Sequence, residues 1–257
     1  MLKTRRSGDV LYLTLDRPEV RNAFNDELIA AIHSAFDTLN PEVRAVVIRG
    51  NGKAFCAGGD LEWMRKASGY DVEQNYADAL KLARMLQAIH TCPAVTIVLA
   101  HGAAFGGGCG LVSAADYSIA QKDTKFCFSE VRLGLIPATI SPFVIDRIGK
   151  GTAKALFTTA EVFDGNSALR IGLIDKVVQF DSELEIAAEK LVGLVLQNGP
   201  QAVAACKSLI REFPMSLEEC ARLLASARSG DEGKEGVAAF LEKRKASFVE
   251  EMEWPKS

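Results

Sequence analysis

Pro93-Ala94-Val95-Thr96-Ile97-Val98-Leu99-Ala100-His101-Gly102-Ala103-Ala104-Phe105-Gly106-Gly107-Gly108-Cys109-Gly110 is the stretch that decides the fold. Pro93 breaks whatever helix precedes it. Ala94 to Ala100 is an apolar run interrupted only by Thr96, which reads as a buried strand. The strand empties into a glycine-rich turn, and the turn opens a helix. Strand, glycine turn, helix is the unit of an α/β protein.

The same alternation appears on both sides. Val10-Leu11-Tyr12-Leu13-Thr14-Leu15 is rich in strand formers and ends in the turn Asp16-Arg17-Pro18. Asn25 can cap a helix that carries Leu28, Ile32, Phe36 and Leu39 on one stripe, stopped by Asn40-Pro41. Ala45-Val46-Val47-Ile48 is a short strand, followed by a loop from Ala54 to Asp60 and a long helix from Val72 to His90. Tyr117 to Ala120 and Lys125 to Phe128 read as two more strands. From Gly151 onward, apart from Ile174 to Val178, the pattern is helical: Ser182 to Gln197, Pro200 to Arg211, Leu217 to Ser229 and Lys234 to Lys245. The expected fold is α/β with crossover connections. Its core spans residues 1–180, and a helical region at 181–257 serves as a lid or an oligomerisation layer.

Composition narrows the function classes. The chain has 257 residues, 48% of them hydrophobic, and a net charge of −3. That is ordinary for a globular domain, and it lacks the broad basic face of a nucleic-acid binder. No apolar run approaches the roughly 20 residues needed to cross a bilayer, and the N-terminus has no apolar signal core. Six cysteines stand singly, with no C-x-x-C pair, and three histidines fall in no metal-ligand spacing, so no metal is expected. Free buried thiols fit a reducing cytoplasm.

The glycine turns could carry chemistry. A dinucleotide fingerprint starting at Gly106 and Gly108 would need its third glycine at Leu111. A phosphate loop ending in Gly52-Lys53 would need glycine at Val47 and a hydroxyl at Ala54. No Gly-x-Ser-x-Gly elbow is present. What remains is exposed backbone at two places: Gly106 to Gly108, and Cys56-Ala57-Gly58-Gly59-Asp60. Two such turns, each offering one N–H, form the minimal hole for a developing oxyanion. Taken alone, glycines after strands read first as tight turns.

Four motifs in order make the pattern specific. They are Arg17-Pro18-Glu19-Val20-Arg21-Asn22-Ala23-Phe24, Phe55 to Leu61, Gly102 to Gly108, and Phe128-Ser129-Glu130-Val131-Arg132-Leu133-Gly134-Leu135-Ile136-Pro137. Together they resemble the enoyl-CoA hydratase/isomerase (crotonase) family. Ala239 to Lys245 is similar to the family's closing helix. The resemblance implies a spiral of strand-strand-helix units with a C-terminal helical extension. It also implies an acyl-CoA substrate, and a homotrimer or dimer of trimers. Coenzyme A would enter as part of the substrate, with no other cofactor. Carried over by motif, the oxyanion donors are the N–H groups of Gly59 and Gly107, and the acid/base is Glu130. Arg21, Ala23, Ala57, Asp60, Leu61, Phe105, Gly106, Gly110, Leu135, Pro137 and Lys243 are the implied substrate and CoA contacts. Arg244 and Lys245 join Lys243 as local cations for the CoA phosphates.

Physically, Glu130 suits general acid/base work, because apolar neighbours in sequence would raise its pKa. The departure is Gly110, where two-glutamate hydratases carry the carboxylate that activates water. The resemblance therefore leaves three readings. The first is hydration of a 2-enoyl-CoA by one glutamate. The second is double-bond isomerisation by the same base, with dehalogenase and hydrolase members of the family after it. The third is a non-catalytic CoA-ester binding or structural family member. Phe126 to Pro142 also resembles the bacterial methylglutaconyl-CoA hydratase branch of leucine breakdown, with Thr139 and Ser141 as hydroxyls for a polar acyl group or a water.

Overall fold

The computed structural model describes residues 1–251. In chain order its elements are β1 (Leu2–Ser7), β2 (Val10–Leu15), α1 (Asp26–Asp37), β3 (Ala45–Gly50), α2 (Leu61–Ala67), α3 (Val72–Thr91), β4 (Val95–Ala100), β5 (Ala103–Phe105) and α4 (Gly107–Ala114). They continue with β6 (Tyr117–Gln121), β7 (Lys125–Cys127), α5 (Ser141–Thr159), α6 (Gly165–Arg170), β8 (Lys176–Val178), α7 (Asp181–Leu196), α8 (Pro200–Glu212), α9 (Leu217–Ser229) and α10 (Asp231–Glu242). The expected α/β fold is what forms, and strand-strand-helix units recur as β4-β5-α4 and β6-β7-α5.

The main sheet runs β1-β2-β3-β4-β6-β8, parallel throughout except for the β1/β2 hairpin. Its strands read as apolar runs because both faces are covered. In β3, Val46 and Ile48 face the layer that holds α1, α3, α4 and α5, while Ala45 and Val47 face α7. In β4, Val98 and Ala100 take the first side, and Ile97 and Leu99 the second. β1 is an edge strand whose Lys3, Arg5 and Arg6 are exposed, which blunts the edge. Those charges hide the strand in the sequence.

Beyond β1 and β5, other elements also fall outside the expected pattern. α2 follows Asp60 without a break, α5 begins ten residues before Gly151, and Glu130–Leu133 is a 3-10 turn beyond the expected strand end at Phe128. α7 belongs to the core: Leu184, Ala187, Ala188, Val192, Val195 and Leu196 pack against the sheet. Among the described residues of α8–α10, only Ala239 is buried, so the helical tail begins after Leu196 in physical terms. The last helix ends at Glu242, three residues short of the expected Lys245. Cys56, Cys92, Cys109 and Cys127 are buried free thiols, whereas Cys206 is exposed and Cys220 half-buried, against the expectation for those two. Among the described residues, no helix is long and apolar enough to cross a membrane.

Candidate active site

A second set of short pairings draws the glycine turns together. Phe24 bridges Gly59, Cys56 bridges Ala104, and β5 pairs with β7. Cys56 N donates to Ala103 O at 3.0 Å, and Phe105 N donates to Cys56 O at 3.0 Å. A side chain at Gly108 would put its Cβ 2.5 Å from Cys56 O, so the close approach of the two turns requires glycine there.

The bonds around Gly59 leave its N–H available. Phe24 N donates to Gly58 O at 2.7 Å, and Asp60 N donates to Phe24 O at 2.8 Å. Among the described residues, no carbonyl accepts from Gly59 N or Gly107 N. Gly107 opens α4, where first-turn amides have no helical partner and the dipole favours negative charge. Gly106, at φ +48°, makes the turn into that helix and donates to Cys127 O at 2.9 Å.

Glu130 stands beside this turn. A Cβ at Gly106 would lie 3.1 Å from Glu130 Oε1, so the carboxyl rests against the residue that precedes Gly107. Its Oε2 is buried without a hydrogen-bond partner among the described residues. Burial raises its pKa, with its own main-chain N–H opposing in part. The Cys56 and Cys109 thiols nearby are no rival nucleophiles: burial pushes Cys56 up to about 12 and Cys109 well above its ordinary value.

The remaining expected contacts divide. Arg21 is exposed in the left-handed region, and its carbonyl accepts from Ala57 N at 3.0 Å. Ala23 is buried, and its carbonyl accepts from Arg17 Nη1 at 2.6 Å. Asp60 has its carboxylate engaged by Arg17 and by the α2 amides of Glu62 and Trp63, and its main chain is engaged by Phe24 O and Met64 N. Leu61 and Leu135 are exposed, Phe105 is half-buried and Pro137 is buried. Gly110 is buried, and the space a side chain would need is filled by Ile140 and Leu86. Lys243 caps α10, and within the chain no hydrogen bond or ion pair among the described residues joins it to the glycine turns. Arg244 pairs with Glu235 and Glu242, and Lys245 with Glu251, so Lys243 alone of that cluster lacks an acidic partner among the described residues.

Sequence reasoning missed Trp63, Met64, Leu86 and Ile140. The first two would meet a Cβ at Gly59 at 3.4–3.5 Å, and the last two meet Gly110. The only signal for α2 was Asp60 as a possible cap, a role the structure shows.

Two amides without a carbonyl acceptor and one carboxyl with a buried oxygen around a glycine-lined turn are groups that can hold a developing oxyanion and move a proton. The family model for enoyl-CoA hydratase/isomerase matches residues 5–251, and the chain belongs to that family. It is 37% identical over 251 residues to crotonyl-CoA hydratase of Syntrophomonas wolfei, covering 93% of this chain and 94% of that protein. Among solved structures it is similar to an enoyl-CoA hydratase from Shewanella pealeana, with TM-score 0.92, 37% identity and coverage of 96% and 95%. It is also similar to Pseudomonas aeruginosa AtuE, with TM-score 0.93, 34% identity and coverage of 97% and 99%.

Proposed function

We propose that this enzyme adds water to the conjugated double bond of a 2-enoyl-CoA. The observation that carries the reading is the partnerless, buried Glu130 oxygen beside the Gly106-Gly107 turn. The thioester oxygen accepts from Gly59 N–H and Gly107 N–H. A water on Glu130 gives its proton to the carboxylate as its oxygen bonds to the β-carbon. The double-bond electron pair moves toward the carbonyl, and the two amides stabilise the enolate oxygen. The protonated Glu130 then delivers that proton to the α-carbon, which completes net addition of water. Every step uses the chain's own groups, and coenzyme A enters with the substrate. Each oxyanion donor in such a hole contributes about 3–4 kcal/mol to the transition state.

Double-bond isomerisation is the second reading, and one observation favours it. Ile140 and Leu86 fill the place of a second carboxylate, so one base must move every proton. A panel of purified esters separates the two. Loss of conjugated absorbance from crotonyl-CoA means hydration, whereas its gain from a 3-enoyl-CoA means isomerisation. Turnover of neither would favour a binder.

The finer substrate we propose is methylglutaconyl-CoA, supported by the Phe126 to Pro142 segment. Ser141 Oγ donates to Ala138 O at 2.9 Å, which leaves the half-buried Thr139 hydroxyl without a partner among the described residues. Arg21 and Lys243 are proposed to meet the CoA phosphates. Exposed Ile210, Phe213, Leu217, Phe240 and Leu241 on the helical tail support a trimer or a dimer of trimers, which sedimentation equilibrium tests. Unpaired thiols suit a cytoplasmic setting.

A further inference from the structure

The seven-residue α2 has no fully buried side chain, yet it supplies the wall beside Gly59. From the point where a Cβ on Gly59 would stand, Met64 Cγ is 3.4 Å away and Trp63 Cζ3 is 3.5 Å away. The Trp63 ring reaches across to α3, where Nε1 donates to Asp78 Oδ1 at 3.4 Å. Asp78 is buried, and it shares Lys81 with the Asp26 carboxylate at the start of α1. Lys81 Nζ lies 3.3 Å from Asp26 and 3.9 Å from Asp78, and Lys66 Nζ lies 3.5 Å from Asp26. Burial and the Asp26 carboxyl together raise the pKa of Asp78.

A buried carboxyl is costly, and a leucine in its place would pack without that cost. Its neighbours show what it serves. Asp78, Leu82 and Leu86 recur every fourth residue of α3, so they share one face. Leu86 is one of the two side chains that meet Gly110, about 12 Å along the axis from Asp78. One stripe of α3 therefore runs from the Trp63 indole to the filled space at Gly110.

We propose that Asp78 is a positioning residue: it holds the edge of the Trp63 ring so that the ring stands as the wall of the acyl-chain subsite beside Gly59, and Trp63 thereby sets the acyl length accepted. This rests on the reading that Gly59 binds a thioester carbonyl.

The test compares full-length wild type with Trp63→Ala, Trp63→Phe, Asp78→Asn and Asp78→Leu. The readouts are kcat/KM for crotonyl-CoA against a ten-carbon 2-enoyl-CoA, Kd for butyryl-CoA against decanoyl-CoA, and Trp63 fluorescence in a Trp254→Phe background. Trp63→Ala should raise the long-to-short preference at least tenfold. Asp78→Leu should move it in the same direction with a shift of Trp63 emission, while Asp78→Asn, which keeps an acceptor, should stay within twofold of wild type. An unchanged preference in Trp63→Ala overturns the proposal. So does an Asp78→Leu variant that slows both esters equally with emission unmoved. Should Asp78→Leu fail to fold, Trp63→Phe removes the indole N–H together with part of the ring, and its long-to-short preference should move in the same direction as that of Trp63→Ala; a preference equal to wild type would overturn the proposal. Wild type that turns over neither ester would refute the hydration reading, while the Kd ratio for the saturated esters would still decide this one.

Discussion

Ile140 Cγ2 stands 2.5 Å from the point where a Cβ on Gly110 would lie, with Leu86 Cδ1 at 3.3 Å, so the place of a second catalytic carboxylate is packed with hydrocarbon. Gly110→Glu should therefore fail to convert this enzyme into a two-glutamate hydratase. Overpacking costs about 1–3 kcal/mol, and an unpaired carboxylate adds to it. At about 2–4 °C per kcal/mol for a domain of this size, calorimetry should show Tm falling by several degrees. Adding Ile140→Gly should recover part of that loss. A Gly110→Glu protein as stable as wild type would show that the space is open.

Glu130 should trade stability for chemistry. Glu130→Gln removes the base and should lower kcat about 10²–10⁴-fold with little change in acyl-CoA binding. Activity within tenfold of wild type would remove Glu130 from the mechanism. The sign of the stability effect follows from its raised pKa. Below the ordinary value of 4.5 the carboxyl is protonated in both folded and unfolded chains, so glutamine and glutamate are equal. As pH rises through the folded-state pKa, the buried carboxyl ionises at a cost to the folded state. The Tm advantage of Glu130→Gln should grow across that window and then level off.

The readable parts of this chain are those where local chemistry and fold agree. Val95 to Ala100 announces a strand because both its faces are buried, and Asn25 announces α1 because its side chain caps Leu28 N at 2.9 Å. The glycine turns were legible as turns, and the likeness of four motifs supplied their chemistry. β1 was not legible, because an edge strand with Lys3, Arg5 and Arg6 outward lacks the apolar run that marks β4. Nor was α2, whose seven residues have no repeating apolar stripe. The filling of Gly110 by Ile140 is a contact across 30 residues, which no local pattern encodes. Arg17 and Asp60 stand in two separate motifs, and their pairing joins residues 43 apart, which no local pattern encodes.

Gly107 carries a steric test of the proposed oxyanion donors. A Cβ there would lie 2.7 Å from Cδ2 and Cε2 of the Phe24 ring, and Phe24 is buried and cannot swing aside freely. Gly107→Ala should push the turn off its position and lower kcat more than it raises KM, since the amide acts most strongly in the transition state. Gly107→Ala with Phe24→Leu should regain part of the lost kcat by giving the methyl room. Equal kcat in wild type and Gly107→Ala would disconnect this amide from catalysis.

Arg17 and Asp60 offer the last test, of how the Gly59 turn is held. Arg17 Nη2 donates to Asp60 Oδ2 at 2.8 Å, with side-chain exposures of 15% and 8%. The same aspartate caps α2, and its N–H pairs with Phe24 O, one residue beyond the proposed donor. Burial alone would raise the Asp60 pKa, but the Arg17 hydrogen bond and the Glu62 and Trp63 amides outweigh it and hold the carboxyl below its ordinary 3.8. Its contribution is therefore present at neutral pH and lost as pH falls through that lowered value. Arg17→Met should cost about 1.5–3 kcal/mol, the range for a hydrogen bond to a charged group. Asp60→Asn keeps a cap and loses the charge, so it isolates the ion pair from the helix start. In urea titrations the double variant should be less destabilised than the sum of the singles, and the gap between wild type and Arg17→Met should close toward acid pH. Strict additivity would mean that the two residues stabilise the turn independently.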